Sequence, residues 1–316
     1  MVFLMLSVVG FTVGILGNVF IGLVLCSEWV KKHKISLVDF ILISLAISRI
    51  SQLLVFLFES IIIGLYPQLL ATYKLTKLIS FLWRITNHLT TWLATCLSIL
   101  YLLKIAQLSH SLFLWLKWRM NRVIIVMLVF SLVFLVFDFL LLETLHNLFW
   151  NIVNESNLTL YLGESKTLYV KSESLLSLSY FIPIALSLLS LLCLFLSLVK
   201  HTRNLHLNFV VSRDFSTEAH KKAMKMVMSF LFLVVVHFFS TQLASWMFLL
   251  FFDHKFEKFI VLAAYVFPSG HSFILILGNN KLREQALKVL RHLKSSLKRQ
   301  NPFTDALSRV FSKMKT

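Results

Sequence analysis

The residues best placed to do chemistry are polar side chains that stand within long apolar stretches of the chain. Trp83 and Asn87 are four residues apart, so a helix would put them on one face. An aromatic ring beside an amide suits a small organic ligand, because the ring supplies contact area and the amide fixes orientation. Ordinary packing between helices is the alternative that this spacing leaves open. His88 stands one position further round the same helix.

Two more polar residues lie deep in apolar stretches. Arg49 is about ten residues into its stretch, and a charge near the centre of a bilayer costs at least about 2.5 kcal/mol. We therefore expect Arg49 to face other helices and to bond Asn18, nearby serines and backbone carbonyls of the last stretch, as a structural anchor or as a moving switch. His237 is alone among apolar residues, where a histidine usually bonds across to a neighbouring helix.

The stretches that carry these residues are long enough to cross a bilayer. The chain has 316 residues, is 58% hydrophobic and contains only 8 Gly, which excludes an ordinary soluble domain and a disordered chain. A span needs roughly 20 apolar residues, and in lipid its backbone groups must bond within the segment, so these stretches should be α-helices. The seven predicted spans are residues 1–27, 40–63, 78–103, 123–146, 175–199, 226–252 and 259–278.

The ends of the chain complete the predicted architecture. Residues 1–25 lack the basic n-region and cleavage site of a signal peptide, so we expect a retained first span. After residue 278, apolar residues at helical spacing alternate with basic ones, which indicates an amphipathic helix on the inner leaflet or a solvated tail helix. The prediction is an all-α membrane protein: a seven-transmembrane helix bundle over 1–278 and a cytoplasmic amphipathic helix and tail over 279–316.

The distribution of charge predicts the orientation in the membrane. The net charge is +17, and 23 of the 31 Lys and Arg residues fall in segments that are cytoplasmic if the N-terminus is extracellular, against six in the outer loops. The bias therefore indicates a membrane protein and no nucleic-acid partner. The glycosylation signals at Asn154 and Asn157 both lie in the predicted second outer loop, residues 147–174, in agreement with this topology.

Other function classes fit the chain less well. An internal repeat, expected of many transporters, is not visible, and the seventh span has no lysine for a retinal-type pump. Metal-ligand clusters and nucleophile–base pairs are also lacking, so neither an enzyme nor a cofactor is predicted. The three cysteines, Cys26, Cys96 and Cys193, fall within or at the ends of spans, so no extracellular disulfide is expected. A pheromone-type chemoreceptor remains an alternative, differing mainly in ligand class.

Several motifs carry a resemblance to one family. The sequence WLATCLS at 92–98, followed by YLLKIA at 101–106, resembles the third-span signature of the type 2 (bitter) taste receptors. The segment SLAISR at 44–49 is similar to their second span, and FIP at 181–183 with SLVKHT at 197–202 to their fifth. STEAH at 216–220 and PSGHSFILILGN at 268–279 complete the match, which runs from the first span to the last.

The resemblance implies a G-protein-coupled receptor of the plasma membrane that detects small bitter compounds and signals through a heterotrimeric, gustducin-type G protein. It assigns Trp83 and Asn87 to the agonist pocket, with His237 and Val261 facing the same pocket. His88, beside them, completes the predicted ligand-binding set. The resemblance also implies an interior network, which we assign to Asn18, Arg49, Pro268 and His271. Membrane lipid is a further expected partner, and a receptor oligomer is left open.

The third inner loop, residues 200–225, is the predicted contact with the G protein. Its basic residues Lys200, Arg203, Lys221 and Lys222 are the ones expected to touch the α subunit. Two positions depart from the family pattern. Phe215 stands where many members carry Pro before the Ser-Thr pair, and Val261 is apolar where some members place a carboxylate. The second departure argues against an ion pair with cationic agonists at that position.

Overall fold

The computed structural model describes residues 2–66, 68–69, 73–106, 110–155, 175, 179–200, 224–236, 238–239 and 254–300. Regular structure in these ranges is helical, which confirms the predicted all-α membrane bundle. We number the helices α1 to α9 in chain order. They are Val2–Lys32, Leu37–Leu65, Tyr73–Ile105, Ser111–Trp118, Met120–Glu155, Ser179–Lys200, Met224–Val236, His254–Gly278 and Asn280–Gln300.

Six helices of the described ranges are long and apolar enough to cross a membrane: α1, α2, α3, α5, α6 and α8. The predicted sixth span, residues 226–252, is described only in its first part, as the shorter apolar helix α7. Residues 1–274 form one compact unit, and residues 275–316 form a second.

Two helices extend past the predicted limits of their spans. The helix α3 begins at Tyr73, and α5 continues to Glu155. The prediction of an outer loop starting at residue 147 is therefore wrong for its first nine residues, because no Gly or Pro between 120 and 155 interrupts the helix. Asn154 consequently lies in the last turn of α5, while Asn157 lies outside the described residues.

Close packing of α1 against α8 depends on small residues. A Cβ atom added at Gly14 would lie 2.6 Å from the Ser269 hydroxyl and 2.8 Å from Leu53 Cδ1. Gly10 and Gly17 are similarly close to α8, with Tyr265 and Ser272 atoms 3.2 and 3.3 Å from their added Cβ positions. Such residues let two membrane helices approach closely. Three glycines on one side of α1 therefore bring it against α8.

The third helix is held by polar contacts with three neighbours. The Ser48 hydroxyl of α2 is 2.9 Å from the Thr90 hydroxyl. The Thr95 hydroxyl donates to the Pro183 carbonyl of α6 at 2.9 Å. Near its start, α3 forms an ion pair with α5 through Lys77, 2.8 Å from Glu143. These bonds fix the rotation of α3, and with it the directions of Trp83, Asn87 and His88.

Candidate functional site

A buried apolar cluster joins α2 to α8 and receives Trp83 from α3. Trp83 is partly buried and packs against this cluster. The structure thus brings Trp83 and Val261 together, which no spacing in the sequence could establish. The buried members of the cluster are Leu53, Phe56, Ile63, Val261, Ala264 and Tyr265.

A polar pair lies one helical turn along α3 from Trp83. The Gln52 side-chain amide of α2 donates to the Asn87 side-chain oxygen, with 3.1 Å between the atoms. The second polar atom of that amide, Gln52 Oε1, is buried and has no hydrogen-bond partner in the part of the chain that the structure describes. Gln52 was not among the site residues predicted from the sequence. The available signal was an amide three residues after Arg49 in an otherwise apolar span.

Arg84 brings a cation next to Trp83 and Asn87. The side chain is buried, and its guanidinium carbon lies 5.8 Å from the Trp83 ring centroid and 5.0 Å from that of Tyr180 in α6. Both distances are within the range of a cation–π contact. The buried Tyr180 hydroxyl faces Arg84 and Asn87 without reaching hydrogen-bond geometry. Tyr180 was also missed, because nothing in the sequence relates the start of α6 to α3.

His88 points to a different neighbour. Its Nε2 lies 2.8 Å from the Ser131 carbonyl of α5, so this nitrogen donates the proton. Its Nδ1 lies 3.5 Å from the Asp138 carboxylate, which also accepts from the Ser179 hydroxyl at 3.2 Å. His88 and Asp138 are both fully buried. The structure therefore places His88 against α5, away from the pairing of Asn87 with Gln52.

Some predicted residues lie outside the described ranges. His237, Arg203, Lys221 and Lys222 belong to this group. Lys200, the last residue of α6, is described and exposed.

The predicted interior network is assembled around Arg49, which is fully buried. The Arg49 guanidinium bonds His271 Nδ1 and also donates to the Ser272 hydroxyl at 3.3 Å. The predicted backbone carbonyl partners are therefore replaced by two side chains of α8. Asn18 reaches Arg49 only through Ser272, whose hydroxyl lies 2.7 Å from Asn18 Oδ1. The Asn18 amide donates to the Pro268 carbonyl at 3.3 Å, so all four predicted network residues come together.

Aromatic rings extend this network to α7. The His271 ring centroid lies 3.9 Å from that of Phe230 in α7 and 5.7 Å from that of Phe267. The Arg49 guanidinium carbon is 5.6 Å from the Phe267 ring centroid. The buried Arg49 guanidinium is thus contacted by side chains of α8, and the ring contact between His271 and Phe230 continues the network to α7. Movement of α7 would change the surroundings of His271 directly, and those of Arg49 through His271.

These groups are suited to binding a small organic molecule. The group around Trp83 offers an aromatic ring face, the side-chain amides of Asn87 and Gln52, and the Arg84 cation. These lie next to the apolar cluster that joins α2 to α8. Within the described ranges no three His, Cys, Asp or Glu residues are close enough to hold a metal ion.

Comparison with known proteins places this arrangement in a family. The family model "Taste receptor protein (TAS2R)" matches residues 1–294. The chain is 59% identical over 304 residues to taste receptor type 2 member 42 of Pongo pygmaeus, covering 95% of this chain and 97% of that protein. The human protein of that name is 58% identical over 304 residues, with the same coverage. Taste receptor type 2 member 7 of Papio hamadryas is 45% identical over 299 residues, or 93% and 94% of the two chains. The chain therefore belongs to the type 2 taste receptors, a family of membrane receptors and not of enzymes.

Proposed function

We propose that this receptor binds small bitter compounds from the extracellular side and activates a gustducin-type G protein. The observation that carries the proposal is the meeting of Trp83 and Val261 at one apolar cluster, with Asn87 a turn away. The family resemblance assigns Trp83, Val261 and Asn87 to the agonist pocket.

The proposed pocket lies between α3, the predicted sixth span that includes His237, and α8. A ligand would stack on Trp83, lie against Val261 and bond Asn87, with His237 supplying a polar group from the opposite side. Because Val261 is apolar, a cationic compound would find no carboxylate at that position. His88 belongs to the proposed set as a neighbour of Asn87, although its ring contacts α5.

The proposed topology has an extracellular N-terminus, a cytoplasmic C-terminus and the plasma membrane as location. The excess of basic residues in the inner segments supports it. In this topology Asn154 and Asn157 are extracellular and available for glycosylation, residues 1–278 form the seven-helix bundle and residues 279–316 the cytoplasmic helix and tail. Tags at the two termini, detected with antibodies before and after permeabilisation, test the orientation.

Signalling would depend on the interior network. An agonist can shift the bundle between two states only by its difference in affinity for them. The contacts of His271 with Arg49 and Phe230 lie between the proposed pocket and the inner loops, so they are suited to report that shift. The proposed inner contacts with the G protein are Lys200, Arg203, Lys221 and Lys222. A receptor oligomer is left open.

A calcium-mobilisation screen tests the function. Cells that express the receptor with a gustducin-type α subunit would be exposed to a library of bitter compounds, with surface labelling of the same cells. We expect concentration-dependent responses that vanish in cells lacking either the receptor or the α subunit. Responses that persist without the α subunit would contradict G-protein coupling. Silence across the library at normal surface expression would contradict the ligand class.

A further inference from the structure

The short helix α4, Ser111–Trp118, presents an exposed aromatic and basic surface between α3 and α5. Phe113 is its buried residue, while Trp115 is 51% and Trp118 83% exposed. Leu112 and Leu114 are exposed as well. Large apolar side chains in this number are unfavourable in water. We therefore expect these side chains to contact an apolar partner instead of water.

Charge accompanies these apolar residues. The Arg119 guanidinium carbon lies 5.3 Å from the Trp115 ring centroid and 5.9 Å from the Trp118 ring centroid. A guanidinium that stacks on rings uses its faces, so its N–H groups remain directed outward in its plane. That edge is suited to a phosphate, which arginine can bind with two parallel hydrogen bonds.

Lys117 has a different role from Arg119. Its ammonium donates to the Ala106 carbonyl just beyond the end of α3, with 3.2 Å between the atoms, and lies 5.9 Å from the Phe113 ring centroid. This contact holds α4 against the end of α3. Arg119, in contrast, is exposed and contacts the two exposed tryptophan rings of this segment.

We propose that α4 and Arg119 bind the headgroup of an acidic phospholipid, with Trp115 and Trp118 in the interfacial layer of the membrane. Trp118 stands two residues before α5, which begins at Met120 and opens an apolar span, so this position lies where a span leaves the hydrocarbon. Tryptophan is enriched at that depth. Residues 104–122 contain Lys104, Lys117, Arg119 and Arg122 and no acidic residue, which complements an anionic surface. The assignment to the acidic inner leaflet rests on the proposed topology; the binding itself does not.

The test measures retained lipid on the full-length purified receptor. Native mass spectrometry would count bound dioleoylphosphatidylserine and dioleoylphosphatidylcholine after titration of each. We expect a preference for phosphatidylserine that falls roughly fivefold in Arg119→Ala, the size expected for one surface cation near acidic lipid, and less in Arg119→Lys. Lys74→Ala is the matched control, because Lys74 is an exposed lysine at the opposite end of α3 from Lys104. An equal fall in the control would overturn the proposal.

A second measurement separates lipid from protein as the partner. Receptor in nanodiscs made only of phosphatidylcholine would be tested for agonist-independent nucleotide exchange on an added G protein. Arg119→Ala and Trp115→Ala/Trp118→Ala should match the unmodified receptor there, while their phosphatidylserine retention is reduced. Normal phosphatidylserine retention with lost exchange would identify α4 as a G-protein contact and overturn the lipid assignment. Because retention is counted without agonist, its failure is distinguishable from failure of the bitter-receptor proposal.

Discussion

The side-chain amide of Gln52 in α2 donates to the side-chain oxygen of Asn87 in α3 across 3.1 Å. This bond fixes the orientation of the Asn87 amide, so a ligand would meet a group that is already positioned. It also leaves Gln52 Oε1 buried and unpartnered among the described residues, which typically costs about 1–3 kcal/mol. An N–H or O–H donor on a ligand that reached this atom would recover part of that cost.

The first prediction concerns this pair. Gln52→Leu removes the donor, and we expect agonist EC50 to rise roughly three- to tenfold, because a lost neutral hydrogen bond costs about 0.5–1.5 kcal/mol. Asn87→Ala should have a similar effect, and the double variant should shift EC50 by less than the two single shifts combined. Ser51→Ala, which changes an exposed neighbour bonded within its own helix, is the control. Fully additive shifts would show that the two amides act independently.

The second prediction separates pocket residues from packing residues on α3. Trp83→Ala and His237→Ala should raise EC50 in the receptors that reach the surface, because each removes a proposed ligand contact. Trp83→Ala also removes packing against the buried cluster of α2 and α8. His88→Ala should instead lower surface expression, because it removes the buried ring whose Nε2 donates to the Ser131 carbonyl and whose Nδ1 lies 3.5 Å from the buried Asp138 carboxylate. Dose–response curves beside cell-surface labelling decide between these outcomes. A loss of potency at normal expression in His88→Ala would return His88 to the ligand site.

The third prediction concerns Arg49 as an anchor of the bundle interior. Arg49→Ala leaves His271 and Ser272 without their donor, and each lost bond to a charged group costs roughly 1.5–3 kcal/mol. We expect reduced surface expression or basal signalling, with the rank order of agonists unchanged. Arg49→Lys should not restore surface expression or basal signalling, since one ammonium cannot reproduce the guanidinium contacts with both His271 and Ser272. A selective change in agonist rank order would place Arg49 in the pocket instead.

The fourth prediction compares two glycines of α1. Gly14→Ala should lower the thermal unfolding midpoint of the purified receptor, because the new methyl would lie 2.6 Å from the Ser269 hydroxyl and 2.8 Å from Leu53. Gly22→Ala should be neutral or stabilising, by up to about 1 kcal/mol, since no atom lies within 4 Å of its Cβ position. Equal midpoints for both variants would mean that α1 does not pack tightly on α8.

The fifth prediction concerns coupling. Lys221→Ala/Lys222→Ala should weaken G-protein activation while leaving surface expression intact, because two cations are removed from the proposed contact. Lys200→Ala, at the exposed end of α6, should have a smaller effect of the same kind. The measurement is nucleotide exchange at saturating agonist. Unchanged exchange in the double variant would exclude this loop as the main contact.

The sequence was sufficient for the six long helices and for the identity of Arg49 as a buried group, but it did not predict the short helix α4. Composition and the cost of exposed backbone in lipid dictate helices, and the cost of an unpaired charge dictates that Arg49 faces inward. Helix ends were less accessible, because α5 continues beyond the apolar residues that define its span. Hydropathy indicates which residues favour contact with lipid, whereas the end of a helix is set by its backbone hydrogen bonds.

Partners across helices could not be predicted for a different reason. The pairing of Gln52 with Asn87, and that of Arg84 with Tyr180, depends on the rotation of one helix against another. Several weak contacts set that rotation, such as the Ser48–Thr90 bond, and none leaves a periodic signal in the sequence. His88 shows the consequence. One step of about 100° round α3 from Asn87 directs it to α5.

The bond between Asn18 and the Pro268 carbonyl joins residues 250 positions apart, and this separation has a consequence for biosynthesis. The first helix enters the membrane early, when the Asn18 amide can bond only the Gly14 carbonyl of its own helix, because its partners in α8 have not yet been made. At about 5–20 residues per second, synthesis of the intervening chain takes roughly 12–50 s. During that interval Asn18 and the glycine-lined side of α1 must be shielded by lipid, by the insertion machinery or by a chaperone. A defect in α8 would therefore leave the Asn18 side of α1 without these contacts after synthesis is complete.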